Sequence, residues 1–132
     1  MHKLLPSATL IVAMIVLATV GCKKSVTPTQ EQDLLISIDA ASYTIITDPV
    51  FSFKVKVEST MPIGGVRIET TVVSEIDNVN YPQGAPLNTY NPTNTITIGV
   101  LPRQKICICT IKVTSLSKST NTATLGFRVG YK

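Results

Sequence analysis

The feature that most constrains this chain is a two-residue alternation of apolar and polar side chains that recurs from Leu34 onward. In Val50–Glu58, Phe51, Phe53, Val55 and Val57 alternate with Ser52, Lys54, Lys56 and Glu58. Successive side chains of a strand point to opposite faces, so the pattern specifies a strand with one buried and one wet side. Val66–Val73 puts Val66, Ile68, Thr70 and Val72 in phase, and Thr95–Val100 does the same with Ile96, Ile98 and Val100. Lys105–Thr114 aligns Cys107, Cys109, Ile111 and Val113, and Ala123–Tyr131 aligns Ala123, Leu125, Phe127, Val129 and Tyr131. Leu34–Asp39 and Tyr43–Thr47 bring the count to about seven strands, as a two-sheet sandwich needs. Ser59–Gly65, Glu75–Pro92 and Ser115–Thr122 carry the Pro, Gly, Asn and Ser that mark turns. No helical stripe of useful length follows residue 33. The expected fold is all-β, a single β-sandwich over residues 34–132.

The composition points to a second, different segment. Of 132 residues 44% are hydrophobic and only 15% charged, a balance that usually means part of a chain is meant for lipid. The excess lies in residues 1–21. Met1-His2-Lys3 is basic, Leu4–Gly21 is uncharged, and its densest apolar run is Leu10–Leu17. This is the layout of a secretory signal peptide. An uncleaved transmembrane helix is the competing reading, at the lower edge of the ~20 residues a span requires. The closing residues, Ala18-Thr19-Val20-Gly21-Cys22, resemble the lipobox of bacterial lipoproteins, with Thr19 where leucine is commonest. The resemblance implies that residues 1–21 are removed, that Cys22 carries a diacylglycerol, and that the lipid bilayer is a partner through that lipid. Lys23 follows the cysteine instead of the aspartate of inner-membrane retention, which by the same resemblance places the protein in the cell envelope, at the outer membrane. Lys23–Asp33 has no apolar periodicity, so residues 22–33 are expected to form the lipidated cysteine and a flexible tether.

The only histidine is His2. A chain that starts at Cys22 has neither His nor Trp, which excludes haem, zinc–histidine and serine–histidine–acid chemistry. Neither a cofactor nor a metal site is expected.

The order of strands, with a wide loop in mid-chain and a closing hairpin over Ser115–Thr122, resembles immunoglobulin-like or fibronectin-III-like modules of bacterial surface proteins. The strand carrying Phe51 and Phe53 has no cysteine to pair with Cys107 or Cys109, so the disulfide and tryptophan of antibody domains are missing.

Four groups of residues are candidate sites. Cys107 and Cys109 form a C-x-C that suits a soft metal or redox chemistry. On one strand their α-carbons lie ~6.6 Å apart with parallel side chains, poor geometry for a disulfide. Buried thiols acting as small hydrophobes are the preferred reading. Glu75-Ile76-Asp77-Asn78-Val79-Asn80 places oxygens at alternate positions as calcium sites do, yet lacks the glycine turn and closing glutamate of an EF-hand, so a polar turn is expected. Tyr81 and Tyr90 lie in a proline-flanked loop where they either contact a sugar or peptide or cover the end of the core. Lys112 and Arg128, beside Ile106 and Ile108, make an outward basic and partly apolar face that suits an acidic partner, anionic glycan or membrane surface, or serves as solubilising charge.

Charge divides along the chain. Cys22–Asp77 carries five basic and eight acidic residues, and Asn78–Lys132 six basic residues and no acid. No stacking platform accompanies the basic part, so no nucleic-acid partner is expected. The acids form no motif pair, so the chain is expected not to be an enzyme. The expected function is a membrane-anchored, non-catalytic binding or structural module engaging a protein or glycan. The alternative is a subunit of a surface or pilus-like assembly that pairs through strand edges.

Overall fold

The computed structural model describes residues 30–132, and these residues form eight β-strands in two sheets. In chain order the strands are β1 (Ile36–Ile38), β2 (Tyr43–Ile46), β3 (Phe51–Val57), β4 (Val66–Ser74), β5 (Leu87–Thr89), β6 (Thr93–Ile98), β7 (Ile106–Ser115) and β8 (Thr122–Tyr131). One sheet has the order β1-β3-β6 and the other β2-β8-β7-β4-β5. All pairings are antiparallel except β2 with β8, where Tyr43 lies beside Arg128 and Ile46 beside Tyr131. The fold is the all-β sandwich expected from the alternation. The expected signal peptide, Cys22 and the first part of the expected tether lie outside the described residues.

Each long strand buries the face its sequence marks. Phe53, Val55 and Val57 of β3 face Val66, Ile68 and Val72 of β4, Cys107, Cys109, Ile111 and Val113 of β7, and Phe127 and Val129 of β8 in one core. Phe53 and Phe127 join the two sheets directly, edge to face, with ring centroids 4.9 Å apart. That arrangement sets the positive ring edge against the negative ring face, beyond the gain from burial alone.

Three details depart from the alternation. β5 falls inside Glu75–Pro92, read as loop, because three residues are too few to show a period; Val66 opposite Thr89 and Ile68 opposite Leu87 fix it instead. β6 starts at Thr93 and stops at Ile98, so Val100 is not inward. It adopts φ +57° and is 73% exposed, and Leu101 turns into the core in its place. Asn94 occupies a core-facing position of β6. Its amide is satisfied there, accepting from Thr89 Oγ1 at 3.1 Å and donating to the Asn91 carbonyl at 2.7 Å.

The start of the domain is fastened to the β7–β8 turn. Asn121, 6% exposed, accepts the Leu34 amide at 2.9 Å and donates to Glu31 Oε1 at 2.7 Å and to the Gln32 carbonyl at 2.9 Å. Gln32 Oε1 in turn accepts the Thr60 amide at 2.9 Å. Residues 31–33, which the sequence reads as the end of the tether, are thus tied down.

Asn121→Ala removes both halves of this clasp and leaves the Leu34 amide unpaired. A net hydrogen bond contributes about 1 kcal/mol and an orphaned buried donor costs about 1–3 kcal/mol, so a loss of about 2–3 kcal/mol is expected by urea denaturation. A change below ~0.5 kcal/mol would show that the clasp does not hold.

Candidate functional site

The outer face of the five-stranded sheet presents the polar half of each alternation, and its rows follow from register. Tyr43 of β2 lies beside Arg128 of β8, which faces Ile108 of β7, which faces Val73 of β4. One row on, Ile45 lies beside Gly130 and Gly130 opposite Ile106. Tyr43, Ile45 and Ile108 are 44%, 43% and 39% exposed. Gly130 has no side chain, and a shallow groove of about 160 Å³ lies here, with Tyr43, Ile45, Ile106 and Tyr131 among its lining.

Arg128 is held in place on this face. Its guanidinium donates to Glu75 Oε2 at 2.7 Å and lies over the Tyr43 ring, 5.2 Å from the centroid. Glu75 holds the guanidinium above its already high ordinary range. Lys112 sits four residues farther along the sheet, about 13 Å away at ~3.3 Å per residue. It lies across from Glu69, which pairs with Arg67 at 3.8 Å, and it makes no ion pair itself among the described residues. Between the two cations, Gly126 faces Thr110. The two basic residues therefore frame a low Thr/Gly saddle on one face.

The two loop tyrosines do not converge. Tyr81 donates its amide to the Val72 carbonyl and packs, half-buried, against the core. Tyr90 is 68% exposed and lies at the opposite end of β4, near Gly65. A side chain at residue 65 would run into the Tyr90 ring, and the φ of +80° there also favours glycine. The tyrosines whose rings lie under guanidinium groups are Tyr43, under Arg128, and Tyr131, under Arg103 at 5.6 Å. Period-two reading placed Tyr43 on a strand but gave no partner for it, because a parallel pairing to the last strand leaves no local signal.

The split of charge along the sequence is folded back on itself. Glu75 pairs with Arg128, and Asp77 Oδ2 pairs with Lys105 Nζ at 2.7 Å. Both carboxylates of the calcium-like stretch are thereby engaged by cations of the basic half. Among the described residues no three His, Cys, Asp or Glu side chains cluster as a metal site would need. Lys105 holds the Asp77 carboxyl down at about 2.

Cys107 and Cys109 are buried, unbridged, on the inward face of β7 with Ile111 and Val113. Burial pushes the Cys109 thiol up to about 12, and burial, with the Asp77 charge adding to it, raises Cys107 as well. Since the thiolate is the nucleophile and the metal ligand, both groups are chemically quiet in the folded state.

Comparison of the chain with protein-family models, with curated proteins and with solved structures finds no match.

Two outcomes are expected. In a Cys22→Ser background, Ellman's reagent should find almost no reactive thiol in native protein and two in guanidinium; fast native reaction would place a thiol at the surface. The Asp77 pKa is lowered from 3.8 to about 2, so stability from the Lys105 pair is complete above the unfolded value and fades as pH falls towards 2. Carboxyl NMR titration should give that low midpoint and show it rising in Lys105→Gln. An unchanged midpoint would remove Lys105 as the cause.

Proposed function

We propose that this protein is a lipid-anchored, non-catalytic binding module of the bacterial cell envelope, held to the outer membrane through Cys22 and presenting an immunoglobulin-like sandwich to a protein or glycan partner. The observation that carries the binding part is the five-stranded face. Tyr43, Ile45 and Ile108 stand exposed there on the sheet, in and beside the row of Arg128, which Glu75 and Tyr43 hold in place, and Lys112 lies farther along the same face. A rigid surface spends little conformational entropy on binding, and an aromatic–guanidinium pair offers both stacking and charge. On the side against catalysis, Glu75, Asp77, Glu58 and Glu69 each pair with a cation, leaving no two of these carboxylates poised as acid and base.

The topology supports the immunoglobulin-like reading. Strands β8-β7-β4-β5 follow the G-F-C-C′ order, and β1-β3-β6 the A-B-E order, of that architecture. The anchor rests on the lipobox-like Ala18–Cys22. Assembly through strand edges remains the second reading, supported by a six-residue strand, β6, at a sheet edge.

The anchor is tested by metabolic labelling with palmitate in a bacterial host, followed by membrane fractionation. Wild-type protein should be labelled and sediment with outer membranes, and Cys22→Ser should lose both properties. Labelling that survives Cys22→Ser would overturn the anchor.

A further inference from the structure

At the outer edge of β6, three features meet: unpaired main-chain groups, a recess with an apolar part, and an amide that imitates a strand. Val57 donates its amide to the Pro92 carbonyl at 2.7 Å, which marks that pair as hydrogen-bonded. The two-residue period of an antiparallel ladder then turns the N–H and C=O groups of Asn94, Ile96 and Ile98 towards β3, and those of Thr93, Thr95 and Thr97 away from it. Those outward groups have no backbone partner among the described residues.

One step along, Gly99 faces outward in the same phase, and there the Gln83 side chain does what a neighbouring strand would do. Its Oε1 accepts the Gly99 amide at 2.9 Å and its Nε2 donates to the Gly99 carbonyl at 3.1 Å. A recess of about 210 Å³ adjoins this edge. Ile68, Ile96 and Leu87 give it an apolar part beside the polar Thr70, Gln83, Thr95 and Thr97, and Gly84 and Ala85 bring little bulk to its wall. Sheet edges are commonly blunted by lysine, proline or extreme shortness. β1, β2 and β5 have only three or four residues, whereas β6 has six and contains neither lysine nor proline.

We propose that the β6 edge binds an extended peptide of a partner protein by strand addition, seating one apolar side chain in the recess beside Leu87 and Ile96 and directing acidic side chains to the outer face. The apolar position follows from pleating. Residues of an added strand opposite Ile96 point the way Ile96 points, towards the recess. The acidic positions follow from charge. Residues opposite Thr95 and Thr93 share a face with Lys54 and Lys56, which flank those threonines on β3. Lys56 pairs with Glu58 at 3.2 Å, but Lys54 has no ion pair among the described residues. Pairing with a second copy about a two-fold axis at Thr95 would bring another lysine to that face instead of its complement. The proposal rests on the reading of the domain as a binding module and is independent of the lipid anchor.

The test titrates the full-length Cys22→Ser chain, ¹⁵N-labelled and in detergent micelles, with the acetylated and amidated peptide Glu-Leu-Glu-Leu-Glu-Leu. Saturable shifts are expected at Thr93–Ile98, Gln83–Leu87 and Lys54. Thr95→Pro should weaken binding at least tenfold with the melting temperature retained, because the N–H it removes points away from β3. Where that variant fails to fold, the same peptide N-methylated at alternate amides gives the same loss on unaltered protein. Lys54→Glu should reverse the preference towards Lys-Leu-Lys-Leu-Lys-Leu. Shifts confined to another surface, no binding at millimolar peptide, or binding indifferent to N-methylation would each overturn the proposal. So would a concentration-dependent dimer abolished by Thr95→Pro, which assigns the edge to a second copy. Palmitate labelling is unaffected by any of these results, so failure of the edge and failure of the anchor are told apart.

Discussion

Everything in this domain depends on the register of β7. It is bonded along its whole length to β4 on one side and β8 on the other, from Val66 opposite Ser115 to Cys107 opposite Val129. Its inward residues, Cys107, Cys109, Ile111, Val113 and Ser115, are all buried. A slip of one residue would turn that set to water and drive Lys112 into the core, where an unpaired ammonium costs several kcal/mol. The correct pairing is therefore selected by a large margin. Once β7 is placed, β8 is placed with it, and Phe127 arrives against Phe53 to join the smaller sheet.

The parts of the fold that were legible in the sequence are those where one face is buried over six residues or more. β3, β4, β7 and β8 alternate because every second side chain must leave water, and that requirement is written residue by residue. The rest depends on partners remote in the chain. Nothing local marks Leu87–Thr89 as a strand, since its reason to be extended is β4. Asn94 looks solvent-facing until Thr89 and Asn91 are known to satisfy its amide. Val100 continues the period of Ile96 and Ile98 in the sequence, yet the chain must turn there so that Leu101 can fill the end of the core.

The candidate site was legible only in outline. Lys112 and Arg128 could be assigned to one outward face because both lie out of phase with buried neighbours on long strands. That Arg128 is clamped between Glu75 and Tyr43 was not legible, because the three residues meet through a crossover and a parallel pairing. The same holds for the charge division. It suggests a polar molecule with an acidic and a basic end, and the sheet instead brings Glu75 to Arg128 and Asp77 to Lys105. Burial of Cys107 and Cys109, by contrast, follows from two-residue phase alone.

The place of β8 has a consequence for how such a chain is made. The last of the eight described strands is not at a margin of its sheet but lies between β2 and β7. Until Thr122–Tyr131 has emerged, β2 has no neighbour, β7 is open along one side, and Phe53 lacks the ring it packs against. A chain made from its N-terminus therefore holds this sheet open until Tyr131 is out. Non-local pairing of this kind folds slowly. During that interval the edge of β7 and its apolar face stand open, and a chain cut before Thr122 would lack the strand that joins β2 to β7.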